Sequence, residues 1–365
     1  EEATVLCKEF KIIDLHLDTL IPYRLFDYDL HKCHPQTPLH GNFFGHFDFP
    51  QASASNLNAA MWSITTNPFQ QPQARWNHLL KTFRRFQTEL QTTHQKISLA
   101  KTSSELNLQL ENNDHVCLLA IQGGNSLQKA PDDFFDQLDQ SLTRVTLMHL
   151  TNSVFGATSS PLSYLTRKKG LTREGHQLIE RLNQHRIFVD LAHAHPALFW
   201  DTIAIHNAQQ PLICTHTGVN GVRKHWRNLD DSQLKVIAES GGTIGVMFEK
   251  SFLSRPCGPL NGRMVVEHMA HIIKIVGEDH VSIGSDYDGF IRPPSGLGPR
   301  ATYLPLVAWM LERRFSAERI AKILSKNFLR CFKDLRPTNN DLITALSPAA
   351  HHHRTQIACA NKIEC

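Results

Sequence analysis

Asp14-Leu15-His16-Leu17-Asp18 follows the apolar run Lys11-Ile12-Ile13, and its spacing suits metal binding. Side chains in a β-strand alternate between faces with period two, so His16 and Asp18 leave the chain on the same side. A nitrogen ligand and an oxygen ligand placed in this way could hold a divalent cation. A single His-x-Asp is equally at home as a satisfied turn pair, so the reading depends on recurrence. Gln122, His149, His193, His216 and the pair Asp286 and Asp288 each stand at or near the end of a further apolar run. Histidines without a common role have no reason to gather there, although with 22 of them in the chain one or two would do so by chance.

The elements that must position these residues are eight short apolar runs, at 10–18, 57–65, 115–122, 143–150, 187–193, 211–216, 242–248 and 280–286. Segments of helical period lie between and after them, at 73–95, 99–111, 132–141, 172–185, 196–207, 230–240, 262–276, 302–313 and 317–332. Thr172 offers an N-cap with Glu174 in the first turn, and Pro196 suits a first helical position. Strands apolar on both faces and separated by helices read as parallel βα units. Eight of them predict a single-domain α/β fold, a closed (β/α)₈ TIM barrel over residues 1–333, with its active site at the C-terminal strand ends. The alternative is an open doubly wound sheet. The segment 21–56 has little periodicity and reads as a flap over the site; its histidines His31, His34, His40 and His46 are expected to face solvent and are left out of the site. Residues 334–365, with Pro337, Pro348 and the triplet His351-His352-His353, read as a polar mobile tail.

Composition narrows the function. A chain of 365 residues, 41% hydrophobic and 20% charged, is globular rather than disordered or fibrous. Its net charge of +4 comes from scattered Lys and Arg, which gives no footprint for nucleic acid. No apolar run approaches the roughly 18 residues that span a bilayer. The chain begins Glu1-Glu2-Ala3 without an initiator Met, from which we expect a removed leader and a periplasmic or secreted protein rather than a cytoplasmic one. Its eight cysteines lack zinc-ribbon or CxxC spacing. Cys117 and Cys214, inside apolar runs, are expected as buried thiols, and Cys359 and Cys365 could pair.

Several stretches together resemble the membrane dipeptidases, also called renal dipeptidases, of peptidase family M19. They are Asp14-Leu15-His16-Leu17-Asp18, Ile121-Gln122-Gly123-Gly124, Leu147-Met148-His149-Leu150-Thr151-Asn152, Gly170-Leu171-Thr172, Val189-Asp190-Leu191-Ala192-His193, Thr215-His216-Thr217, Arg227-Asn228, Gly241-Gly242, Ile283-Gly284-Ser285-Asp286-Tyr287-Asp288-Gly289 and Asn327-Phe328-Leu329-Arg330. Their order and spacing are specific where each alone is not. The resemblance implies an amidohydrolase-like TIM barrel with two zinc ions that hydrolyses dipeptides, including those with a C-terminal D-residue, and that is often a homodimer. By position it implies that His16 and Asp18 ligate one zinc and His193 and His216 the other. His149 would contact the substrate or its tetrahedral intermediate, Arg227 the substrate carboxylate, and Asp286 would be the acid/base, with Asp288 a supporting substrate-side residue at the rim. The chemistry is self-consistent, because a metal-activated water attacks a carbonyl at neutral pH and a nearby carboxylate can carry its proton to the leaving amine. An arginine fork also suits a carboxylate.

One residue departs from the resemblance. The family bridges its two metals with a glutamate where this chain has Gln122. Two dications about 3.5 Å apart repel by on the order of 20 kcal/mol at an effective dielectric near ~20. A bridging anion offsets much of that, and a neutral amide does not. Three readings stay open: two metals with another bridging anion, one metal with retained hydrolysis, or a catalytically impaired homologue that binds a peptide-like ligand. Met247-Phe248-Glu249-Lys250 is a second departure, since relatives often carry an aromatic near Glu249, and it leaves hydrolysis of another small amide as a further alternative. The function expected is that of a zinc-dependent dipeptidase, a metallopeptidase (protease) acting on small dipeptides.

Overall fold

The computed structural model describes residues 1–34, 43–112, 115–254, 261–298 and 303–337. The strands among them are β1 (Ile13–Leu17), β2 (Ala59–Thr65), β3 (Ile97–Leu99), β4 (His115–Gln122), β5 (Leu142–Thr146), β6 (Phe188–Asp190), β7 (Ile213–Thr217), β8 (Thr243–Val246) and β9 (Val281–Ile283). All but β3 are buried along their whole length, as apolar runs without alternation require. These eight are parallel and close on themselves: β1 pairs with β2 and β9, β2 with β4, and the order then runs from β4 through β5, β6, β7 and β8 to β9. The result is a single-domain (β/α)₈ barrel, and the eight runs read from the sequence are its strands.

Helices cover the barrel as the crossovers of parallel strands must. The helix Arg173–Gln184 buries Leu178, Ile179 and Leu182, and the Thr172 hydroxyl accepts from Gly175 N at its start. Pro196 stands at the first position of Pro196–Ile205. Asp230 and Gln233 form a reciprocal capping box on Asp231–Glu239. Closure between strands is tight at Gly284, where an added Cβ would stand 1.7 Å from the Thr215 carbonyl oxygen. No helix of the described residues is long and apolar enough to cross a membrane.

Several expectations need correction. The segment 99–111 is not wholly helical: Ile97–Leu99 is β3, which stands outside the barrel and pairs only with the start of β4. The helix begins at Ser103 because Thr102 accepts from Glu105 N. The segment 132–141 holds only a four-residue helix, Phe134–Gln137. Among the described residues of 21–56, Ile21, Arg24, Leu25 and Phe43 line cavities beside the strand ends, and the segment also carries the helices Leu20–Leu25 and Phe49–Ala54, the latter capped by Asp48. Glu2–Glu9 is a further helix that had no periodic signal. From 317 to 335 the chain is helical throughout, with one wider turn at Lys322–Lys326, and the last helix runs on to Leu335 because that side chain is buried. Cys117 and Cys214 are buried unpaired thiols. His40, Cys359, Cys365, the His351–His353 triplet and the tail from 338 lie outside the described residues.

Candidate metal centre

His16 projects from the end of β1, and its Nε2 lies 3.4 Å from Asp18 Oδ1 and 3.5 Å from Asp286 Oδ1. Its other nitrogen is fixed from below. Arg144, a fully buried side chain on β5, donates to His16 Nδ1 at 3.0 Å, to Ser63 Oγ at 2.5 Å and to Asp190 Oδ2 at 3.1 Å. A guanidinium can only donate, so Nδ1 is the acceptor and a neutral His16 carries its proton on Nε2. Asp190 is held in turn by the Thr146 hydroxyl at 2.6 Å and by the Thr215 hydroxyl and amide at 2.7 and 3.0 Å. Burial would raise its pKa, but Arg144 and these hydrogen bonds outweigh burial and lower it, so Asp190 stays ionised.

His193, after β6, and His216, on β7, bring their Nε2 atoms within 2.9 Å. Two nitrogens bound tetrahedrally to one zinc would stand ~3.3 Å apart for bonds of about 2.0–2.1 Å. The His193–His216 and His16–Asp18 separations both lie near that edge length. His16, His216 and Asp286 also offer ligand atoms that all lie within 4.8 Å of one another. Burial pushes the pKa values of His16, His193 and His216 well down, so each ring is neutral; His16 has to give up its Nε2 proton to ligate.

Gln122, at the end of β4, lies between these pairs, and neither orientation of its amide suits its neighbours. Turned towards Asp18, the nitrogen donates to both carboxylate oxygens at 2.6 Å, but it also sits 2.7 Å from His16 Nε2, which carries a proton. Turned away, it meets His193 Nε2 at 3.3 Å and leaves the amide oxygen against the Asp18 carboxylate. The second arrangement becomes acceptable only if Asp18 loses its charge, and burial does push that carboxyl up, to about 7. A cation that displaces the His16 Nε2 proton and takes the Asp18 oxygens removes the conflict. The donor set of imidazoles and carboxylates therefore fits a divalent ion of the zinc type.

Beside these groups a cavity of about 480 Å³ opens, lined by Gln122, His149, His193, Arg227 and Asp286 among others. Arg227 donates to the His216 carbonyl oxygen at 2.7 Å, and its buried Nε has no protein partner. His149, in contact with the His193 ring, is held neutral by burial, its pKa lowered to about 4. Asp286 has a positive φ of 65°, and Gly289 leaves it room, since an added Cβ there would stand 2.2 Å from Asp286 Oδ1. Burial first and Asp18 second raise the Asp286 pKa. His193 and Asp288 are also left-handed, with φ of 62° and 64°. L-residues hold such angles at a cost of about 1–3 kcal/mol, so the fold imposes them at the site.

The structure brings His16, Asp18, Gln122, His149, His193, His216, Arg227 and Asp286 to one mouth, but it does not bring Asp288 there. Asp288 is fully buried behind Asp286, accepting from Thr19 Oγ1 at 2.7 Å and from His46 N at 2.8 Å. Its amide donates to His46 Nδ1 at 2.9 Å. It is thus a support for the turn after β9, not a substrate-side residue, because its oxygens are already occupied. His46 is buried rather than solvent-facing. His31 bonds Glu89 and His34 stacks on Tyr28.

Arg144 and Asp190 brace the candidate centre, and sequence reasoning gave neither of them a role. The signal was present: a charge inside the strand Leu142-Thr143-Arg144-Val145-Thr146 must meet a buried counter-charge, and Asp190 is the acid on the neighbouring strand. Asp14 has a structural role that its sequence context does not show. It ties β1 to β9 by accepting from Ser285 N at 2.9 Å and from the Tyr303 hydroxyl at 2.6 Å.

The chain is similar in fold to dipeptidase AC, an M19 metallopeptidase, with a TM-score of 0.78 at 22% identity over 90% of this chain and 99% of that one. It is likewise similar to a metallopeptidase from Rhodobacter sphaeroides liganded with a phosphinate mimic of the dipeptide L-Ala-D-Ala, with a TM-score of 0.77 at 21% identity over 89% of this chain and 99% of that one. A curated relative, an uncharacterized protein in the pqqA 5′ region of Klebsiella pneumoniae, is 36% identical over 169 residues, which are 46% of this chain and 61% of the relative's length. The family model described as membrane dipeptidase (peptidase family M19) matches residues 1–345. This chain therefore belongs to the membrane dipeptidase family, M19.

Proposed function

We propose that the chain is a metal-dependent dipeptidase that cleaves small dipeptides, including those with a D-residue at the C-terminal position. The observation that carries this reading is the adjacency of two ligand-spaced pairs, His16 with Asp18 and His193 with His216, to a cavity lined by His193, Arg227 with its unpartnered Nε, and the Asp286 carboxyl. The phosphinate dipeptide mimic bound by the Rhodobacter sphaeroides relative supports dipeptides as the substrate class.

His16, Asp18, His193 and His216 would hold zinc, which when bound supplies electrophilic polarisation of a carbonyl and of water. Arg227 binds the substrate carboxylate through its free Nε and sets the scissile bond over the ligand pairs. Asp286, whose carboxyl lies beside His16 and lines the cavity, takes the proton of the attacking water and returns it to the leaving amine. His149, neutral, donates through Nε2 to the oxygen that becomes negative as the carbonyl is attacked. The test is hydrolysis of a dipeptide panel with D- and L-residues in second position by zinc-loaded protein. Turnover that a chelator removes and zinc restores is expected, and no turnover of any member overturns the reading.

Gln122 supports a second reading, a catalytically impaired homologue that binds peptide-like ligands, because the residue between the ligand pairs is neutral. Dipeptides would then raise the melting temperature without being cleaved.

A further inference from the structure

A second cavity, of about 320 Å³, opens on the opposite side of Gln122, His149 and Leu150, which line both spaces. The reaction centre is thus a waist between two lobes. If the reading above places the substrate carboxylate at Arg227, the lobe across the waist receives the acyl half of the substrate, on the N-terminal side of the scissile bond.

The charge in that lobe is one-sided. Its lining contains Arg24 and no aspartate or glutamate. Arg24 belongs to the short helix that directly follows the His16–Asp18 motif. Its Nε is buried without a partner, and among the described residues its guanidinium makes no ion pair. The smaller cavity on its other side, lined by Tyr23, His78, Lys81, Thr82 and Arg85, offers no carboxylate either. Arg75 braces the wall by donating to the carbonyls of Asn125, Pro68 and Gln70 at 3.0, 3.2 and 2.7 Å, which adds a second positive charge with no acid opposite it. Thr65, in register beside Gln122, and Thr66 line the same lobe with hydroxyls that have no protein partner. A half-buried guanidinium left unpaired is costly unless a ligand pairs it.

We propose that this lobe selects an acyl half bearing a carboxylate, such as an N-terminal glutamyl or aspartyl residue, with Arg24 as the residue that determines that specificity. A lysyl side chain is disfavoured there, because two guanidinium groups repel it and no acid receives it. The selection is electrostatic, so it distinguishes Glu from the isosteric Gln.

The test rests on the dipeptidase reading and is built to fail separately from it. Glu-D-Ala, Gln-D-Ala and Lys-D-Ala are compared by kcat/KM with zinc-loaded wild type, Arg24→Gln and Arg24→Glu, each variant first shown folded by its thermal transition. We expect wild type to prefer Glu-D-Ala over Gln-D-Ala by about tenfold or more, as a charge-assisted hydrogen bond gives. Arg24→Gln should bring that ratio near unity, and Arg24→Glu should turn the preference towards Lys-D-Ala. Equal rates for the Glu and Gln peptides in wild type, or a Glu/Gln ratio that Arg24→Gln leaves intact, overturns the proposal. If no peptide is cleaved, the dipeptidase reading falls, and calorimetric titration of the same peptides decides the subsite. Tighter binding of Glu-D-Ala than Gln-D-Ala that Arg24→Gln abolishes upholds it, and equal or undetectable binding overturns it.

Discussion

Arg144 reaches His16 Nδ1 from inside the barrel at 3.0 Å, so a permanent cation holds a ring whose other nitrogen faces the site. That contact ties the centre to the buried Arg144–Asp190 pair. Removing one member of such a pair strands the other, and Arg144→Met should destabilise the fold by about 3–5 kcal/mol in urea unfolding. The double variant Arg144→Met/Asp190→Leu should recover much of that stability yet keep a weakened metal affinity, because His16 has lost its brace. Recovery of both stability and affinity would show that Arg144 serves packing alone.

Gln122→Glu restores a carboxylate between the ligand pairs, and zinc bound per chain, measured by elemental analysis after gel filtration, should rise towards two. Dipeptide turnover should rise with it. An unchanged metal content would mean that wild type already neutralises its ions in some other way.

Arg227 recognises a carboxylate if its free Nε meets one. Arg227→Met should therefore lower kcat/KM for free dipeptides by about 30- to 100-fold, the loss expected for a charge-assisted hydrogen bond. For C-terminally amidated dipeptides the same substitution should change kcat/KM by far less. Equal losses on both would place Arg227 elsewhere in the reaction.

His115 and His268 lie away from the site, and burial lowers the pKa of each to about 4. His115 donates from Nδ1 to the Leu57 carbonyl oxygen at 2.7 Å and accepts from Trp62 Nε1, so protonation would set N–H against N–H. The unfolded chain takes up these protons near the ordinary histidine value of about 6.5 and the folded chain does not. Stability is therefore full above about 6.5 and is lost as the pH falls towards 4, by on the order of 3 kcal/mol for each ring. Thermal melts between pH 7 and 4 read this directly. His115→Gln should flatten the slope, and a slope unchanged in that variant would assign the effect to other groups.

Asp288 anchors the turn behind the reaction centre. Asp288→Ala should cost about 2–3 kcal/mol of stability through the donors it leaves unpaired at Thr19 and His46, with KM for dipeptides little changed. A large rise in KM at unchanged stability would restore Asp288 to the substrate side.

The barrel was legible because each of its strands is apolar on both faces, and period and length mark such runs without a motif. Most of the centre was legible because His16, His193 and His216 sit at strand ends, where a barrel collects them. β3 was not, because three residues are too few to show a period beside the helical signal of 103–111. Arg144 and Asp190 escaped because each looks, within its own strand, like a single polar interruption, and only pairing across the sheet makes them one unit. His46 escaped because its partner, Asp288, lies 242 residues away.

His193, Asp286 and Asp288 hold left-handed backbone that glycine or asparagine would occupy more easily. The histidine and two aspartates hold these angles at conformational expense beside the neutral Gln122, so the fold gives up some stability to keep the geometry of the candidate centre.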